Sequence, residues 1–102
     1  MNLNSEIEQM IRRGVLEIVS RHLDIRKYKV FYFGSRVNGT NRERSDVDIG
    51  IEGNEIVPYD KLHQILSDID NIRTLYKIDF VDFKDCSEAF VDLAKKKVEY
   101  IN

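Results

Sequence analysis

Asp46-Val47-Asp48 is the stretch most suited to chemistry. Residues two apart on a β-strand lie about 6.6 Å apart along the chain and point to the same face, so "SDVDIGI" aims two carboxylates into one small volume. Two like charges held there call for a counter-ion. An isolated Asp-x-Asp is usually the wet face of an antiparallel strand. Here the pair opens an apolar strand directly after a turn rich in glycine and arginine, where charge serves a ligand better than it serves strand formation. Oxygen donors with no histidine or cysteine among them favour Mg²⁺, with Mn²⁺ as the alternative, and Mg²⁺ shares its shell between a few carboxylates, water and substrate phosphates. The expected substrate is a phosphate compound. A third carboxylate would complete a two-ion site of the kind that stabilises both the attacking and the leaving oxygen at phosphorus. Asp79 and Asp82 are the candidates. They lie three apart on a strand and so face opposite sides of it; periodicity does not choose between them.

Twelve residues before Asp46 stands Gly34. Gly34, four residues, then Gly39 reproduces the start of a Walker cradle after a strand. The next residues are Thr40 and Asn41 where that cradle needs lysine and a hydroxyl, so a Walker site is rejected. Gly34-Ser35 can hold phosphate in another way, the glycine admitting a close approach to the backbone while N–H groups and the Ser35 hydroxyl donate to phosphate oxygens. Arg36, Arg42 and Arg44 surround the turn, and a guanidinium fork suits phosphate, although solvated loop arginines are the plainer account of Arg42 and Arg44.

The elements that must carry these residues follow from hydrophobic spacing. Ile7, Met10, Ile11, Val15, Ile18, Val19 and His22 recur at three- and four-residue intervals, which predicts an amphipathic helix from Asn4 to about Leu23, with Arg12 and Arg13 on its solvated face. "KYKVFYFG", Lys27 to Gly34, reads as a strand running into a turn. From Asp46 to Glu52, Val47, Ile49 and Ile51 alternate against Asp46, Asp48, Gly50 and Glu52, a second strand. A helix begins at Pro58 with Leu62, Ile65, Leu66, Ile69 and Ile72 along one stripe. "KIDFVDF", Lys77 to Phe83, is the third strand, and a last helix capped by Asp85 or Ser87 turns Phe90, Leu93, Ala94 and Val98 inward. The polar turn between the first two strands is too short for a parallel crossover. The expected fold class is α/β (α+β), a small mixed sheet flanked by helices.

Gly34-Ser35, ten residues, then Asp46-Val47-Asp48 resembles the signature of the DNA polymerase β type nucleotidyltransferase superfamily. With "KIDFVDF" following, the chain is similar in particular to the minimal nucleotidyltransferases (MNT), the antitoxin components of HEPN/MNT toxin-antitoxin modules. The resemblance covers Val30 to about Phe83 and implies the nucleotidyltransferase fold. It selects Asp79 as the third carboxylate, because the family's third aspartate stands in a hydrophobic-Asp-hydrophobic setting that Ile78-Asp79-Phe80 matches. The implied activity is transfer of AMP from Mg-ATP to a hydroxyl, with release of pyrophosphate. Asp46, Asp48 and Asp79 would be the metal ligands and catalytic residues, holding two Mg²⁺ ions. Gly34, Ser35 and Arg36 would bind the nucleotide. In the family's antitoxin members the acceptor is a tyrosine of the partner HEPN toxin, so a hetero-oligomer with such a toxin is expected. Two alternatives compete: a non-catalytic antitoxin that neutralises its partner by complex formation, and nucleotidylation of a small-molecule hydroxyl.

Size and composition agree with this. At 102 residues the length suits a single domain over residues 1–102, with room for one modest core, which makes a protein acceptor easier to accommodate than a small molecule with its own binding domain. Hydrophobic residues at 42% and charged residues at 33% describe a folding chain. A net charge of -2, from 16 basic and 18 acidic side chains, gives no general attraction to DNA, RNA or an acidic membrane. The single cysteine, Cys86, cannot form an intramolecular disulfide, and the opening "MNLNSEIEQM" lacks signal-peptide character, so a cytoplasmic location is expected.

Overall fold

The computed structural model describes residues 5–34, 47–74 and 76–102. Helix α1 (Ser5–His22) is followed by a 3₁₀ turn (Ile25–Lys27), β1 (Tyr28–Phe33), β2 (Val47–Gly53), α2 (Tyr59–Asp70) and β3 (Ile78–Asp82). A second 3₁₀ turn (Phe83–Asp85), α3 (Glu88–Ala94) and β4 (Glu99–Tyr100) complete the order. The four strands form one sheet in the order β3-β2-β1-β4. β1 is antiparallel to β2 and β4, whereas β2 and β3 run parallel and are connected through α2. The sheet is therefore mixed, with helices on both faces, the α+β arrangement expected from the sequence.

Alternation along the strands divides the apolar residues between two cores. Val30 and Tyr32 of β1, Val47, Ile49 and Ile51 of β2, and Phe80 of β3 meet Ile11, Val15, Ile18 and Val19 of α1 and Ile65 and Ile69 of α2. On the other face Phe31, Phe33 and Phe83 pack with Val81, Val91, Ala94 and Val98. Phe83 stands edge-on to Phe31 and Phe33, with centroids 4.8 and 5.0 Å apart. These rings need Gly50, because a Cβ there would come within 2.7 Å of both the Phe31 and the Phe83 rings. Gly50 is thus the seat of the second core.

The predicted strands and the two long helices are found with ends shifted by a residue or two, whereas the last helix stops at Ala94, so Val98 packs inward from the segment after it rather than from α3; four further details differ. β4 was not expected; it has only two residues and is continued by a side chain, since Asn102 Oδ1 accepts from Val30 N at 2.7 Å and Asn102 Nδ2 donates to the Tyr28 carbonyl at 2.9 Å. Leu93 does not face inward: it is 69% exposed, because α3 ends one residue later and only one of its flanks reaches the sheet. Met10 is also exposed, on the outer edge of the α1 stripe. Arg12 is not simply solvated. Its guanidinium donates to Glu8 at 2.9 Å and to Glu99 at 3.2 Å, and lies 5.6 Å from the centre of the Tyr32 ring, tying α1 to the last strand.

Tyr32 belongs to the same knot, its hydroxyl donating to Glu8 Oε2 at 3.0 Å. Burial, reinforced by the charge of Glu8, raises its ionisation well above the ordinary tyrosine value. The neutral hydroxyl is the form the fold favours, so this contribution to stability is complete below the unfolded value of about 10 and is lost as pH rises beyond it toward the folded value. Denaturant midpoints measured from pH 8 to 12 should therefore fall more steeply for the wild type than for Tyr32→Phe, and parallel curves would refute the assignment.

Candidate active site

β1 ends at Phe33 and hands the chain to Gly34, whose φ of 86° lies in the left-handed region. That conformation suits glycine. A second constraint acts on the same atom: a Cβ on Gly34 would stand 2.5 Å from Asp48 Oδ2. The Asp48 carboxylate occupies the space that a side chain would need. It comes there because Phe33 and Asp48 are cross-strand partners, so the first residue past β1 lies against the second residue of β2.

On the other side of β2, Asp48 is in register with Asp79. Neighbouring strands are about 4.8 Å apart, and register partners share a face, so the two carboxylates stand side by side on the face that carries Phe33 and the aromatic core. The side chain of Lys77 is 3.7 Å from Asp79, but at 72% exposure it is a loose surface counter-charge. Two adjacent carboxylates of hard oxygen donors, half-buried beside Gly34, fit a divalent cation such as Mg²⁺. Among the described residues no three histidine, cysteine, aspartate or glutamate side chains group closely enough to hold a metal ion by themselves. Asp46, the third predicted ligand, lies outside the described residues, as do Ser35 and Arg36.

Asp82, which periodicity left level with Asp79, has a different place. It is 4% exposed, facing the α1 and α2 side of the sheet, and its carboxylate accepts from Val57 N at 2.8 Å and Lys84 N at 3.0 Å. It caps the 3₁₀ turn after β3 and anchors the segment that leads into α2. The signal for this was present: an aspartate two residues before its donor is a common turn-forming arrangement. Imidazole and thiol take no part. His22 pairs with Asp68 at 2.8 Å between α1 and α2, and His63 lies edge-on to Tyr59. The Cys86 thiol donates to the Asp82 carbonyl at 3.3 Å, and burial pushes its ionisation up, away from reactivity.

The family described as "Polymerase beta, Nucleotidyltransferase" matches residues 14–101. The chain belongs to this nucleotidyltransferase family. No curated protein sequence matches it, but solved structures share the nucleotidyltransferase fold. A chain of a toxin-antitoxin complex with AMP-PNP aligns at a TM-score of 0.63 and 17% identity, over 89% of this chain and 72% of that one. A chain of the Shewanella oneidensis complex between tri-AMPylated HEPN toxin and MNT antitoxin aligns at 0.60 and 14% identity, over 92% and 71%. A mutant of the MntA-HpeT toxin-antitoxin aligns at 0.64 and 14% identity, over 89% and 72%. At such identities the likeness is one of fold. No helix among the described residues of this nucleotidyltransferase is long and apolar enough to cross a membrane.

Three substitutions separate the site from its support. Gly34→Ala combines a left-handed backbone with a clash on Asp48, so it should cost about 1–3 kcal/mol in urea denaturation and displace Asp48; unchanged stability would show that the contact is relaxed in solution. Asp82→Ala orphans two backbone donors and should cost roughly 2–4 kcal/mol, whereas Asp79→Ala, at the half-exposed position, should cost less than about 1 kcal/mol. Equal losses from the two aspartates would contradict the division of roles.

Proposed function

We propose that this nucleotidyltransferase transfers AMP from Mg-ATP to a hydroxyl, a tyrosine, of a partner HEPN toxin and acts as its antitoxin. The observation that carries the proposal is the register match of Asp48 with Asp79 while Asp48 lies against Gly34, which sets a carboxylate pair beside the first residue of the Gly34-Ser35 motif. The AMPylated toxin in the Shewanella oneidensis complex, whose fold this chain shares, supports both the group transferred and the acceptor.

Asp46, Asp48 and Asp79 would hold two Mg²⁺ ions, for which Mn²⁺ can substitute. When bound, such ions offset the charge that develops around phosphorus. The chain's own residues supply the rest. Gly34, Ser35 and Arg36 hold the β and γ phosphates through backbone N–H groups, a hydroxyl and a guanidinium. Asp79, on the edge strand and half-exposed, is the carboxylate open to an incoming acceptor and takes the proton of its hydroxyl. The hydroxyl oxygen forms a bond to the α-phosphorus, the bond to the bridging oxygen breaks, and pyrophosphate leaves.

The competing reading, neutralisation by complex formation alone, draws on Ile56 and Tyr59, large side chains left exposed at the start of α2. Asp48→Asn and Asp79→Asn distinguish the two. Incubated with labelled ATP, Mg²⁺ and the product of the adjoining reading frame, tested as the HEPN partner, the wild type should label that protein, and each variant should do so about 100-fold less or worse with an unchanged circular dichroism spectrum. Variants that neutralise the toxin as well as the wild type would establish occlusion instead.

A further inference from the structure

Among the described residues two exposed aromatic rings border the sheet face that carries Asp48 and Asp79: Tyr100, edge-on to Phe31, and Phe90, the one that adjoins Phe33 beside Asp48. Phe90, in the first turn of α3, is 38% exposed although it packs against Phe33 at 6.0 Å and Phe83 at 5.6 Å between centroids. It stands nearly perpendicular to Phe33, at 89°, and is held by these two ring contacts while part of the side chain remains exposed. Its N–H donates to the Ser87 hydroxyl at 3.2 Å, which fixes the turn from which it projects. Phe33 in turn is the cross-strand partner of Asp48, and such partners have Cβ atoms about 4.5–5.5 Å apart. Phe90 is thus one ring beyond a residue that adjoins the carboxylates. That separation lies within the reach of a nucleoside whose phosphates are held at Gly34 and Asp48. One turn further along α3, Leu93 extends the same apolar wall into solvent.

We infer that Phe90 is the platform against which the base of the nucleoside triphosphate packs, an inference that rests on the nucleotidyl-transfer reading above. An immobilised, half-open ring offers a base a π surface without having to be ordered first. The larger ring system of a purine gains more from it than a pyrimidine does. Stacking reads ring size and carries no hydrogen-bond code, so Phe90 favours purine nucleoside triphosphates as a class and leaves adenine and guanine nearly undivided.

The test is calorimetric titration with ATP and, separately, with inorganic tripolyphosphate, both with Mg²⁺, on wild type, Phe90→Ala, Phe90→Leu and Phe90→Tyr. Stacked bases are commonly worth enough that losing the ring weakens binding roughly 5- to 100-fold. That loss is expected for ATP in Phe90→Ala and in Phe90→Leu, which keeps an apolar contact with Phe33 and Phe83. Phe90→Tyr should bind ATP as the wild type does, and tripolyphosphate should bind all four proteins alike. The inference is overturned if Phe90→Leu binds ATP within twofold of wild type, or if ATP and tripolyphosphate weaken together, which marks a structural role. A wild type that binds neither ligand would bring down the nucleotidyl-transfer reading itself, and this inference with it.

Discussion

The register of β2 is the constraint on which everything else rests. Its odd-numbered residues, Val47, Ile49 and Ile51, are sealed against α1 and α2, while Asp48 and Gly50 face the aromatic side. Because side chains alternate with a period of two, a slip of one residue would drive Asp48 into the helix-facing core and bring three apolar side chains out. The hydrophobic cost of that exchange, together with an unpaired buried carboxylate, is what holds the charge in place. Gly50 adds a steric lock, since only a residue without a Cβ fits beneath Phe31 and Phe83. A correct register on both sides of β2 then sets Asp48 between Gly34 and Asp79.

The two faces of the sheet carry different loads. The α1 and α2 face is closed and apolar, and its polar groups are spent on structure, as with Asp82 and the Tyr32 hydroxyl. The opposite face has a smaller core under a short helix, so its upper end stays open for carboxylates and its flank for Phe90. The short edge strand β4 survives because it is held from several directions: Arg12 from α1, and the Asn102 amide along β1. An active site built on strands gains rigidity from the ladders on either side of it.

Much of this was legible in the sequence where periodicity was strict. The alternation of β2 predicts which residues face inward, and the opposite placement of Asp79 and Asp82 follows from their spacing of three. Which of the two belongs to the site did not follow; the family resemblance chose Asp79, the residue in register with Asp48. β4 was illegible because two residues hold no period and the hydrogen bonds that continue it come from a side chain. Arg12 and Leu93 were misread for a related reason: how much of a helix is covered depends on which distant segment reaches it, and local spacing does not record that. Ser35, Arg36 and Asp46 fall outside the described residues, so for them the motif spacing remains the guide.

The central claim is that Asp48 and Asp79 share metal ions with a nucleoside triphosphate on one face of the sheet. Electron paramagnetic resonance of Mn²⁺, titrated into the protein with a non-hydrolysable ATP analogue, tests it directly. The account predicts two Mn²⁺ bound per chain close enough to couple magnetically, with one site lost in Asp79→Asn. Mn²⁺ that stays unbound by the protein, or that binds identically when both aspartates are replaced, would contradict it.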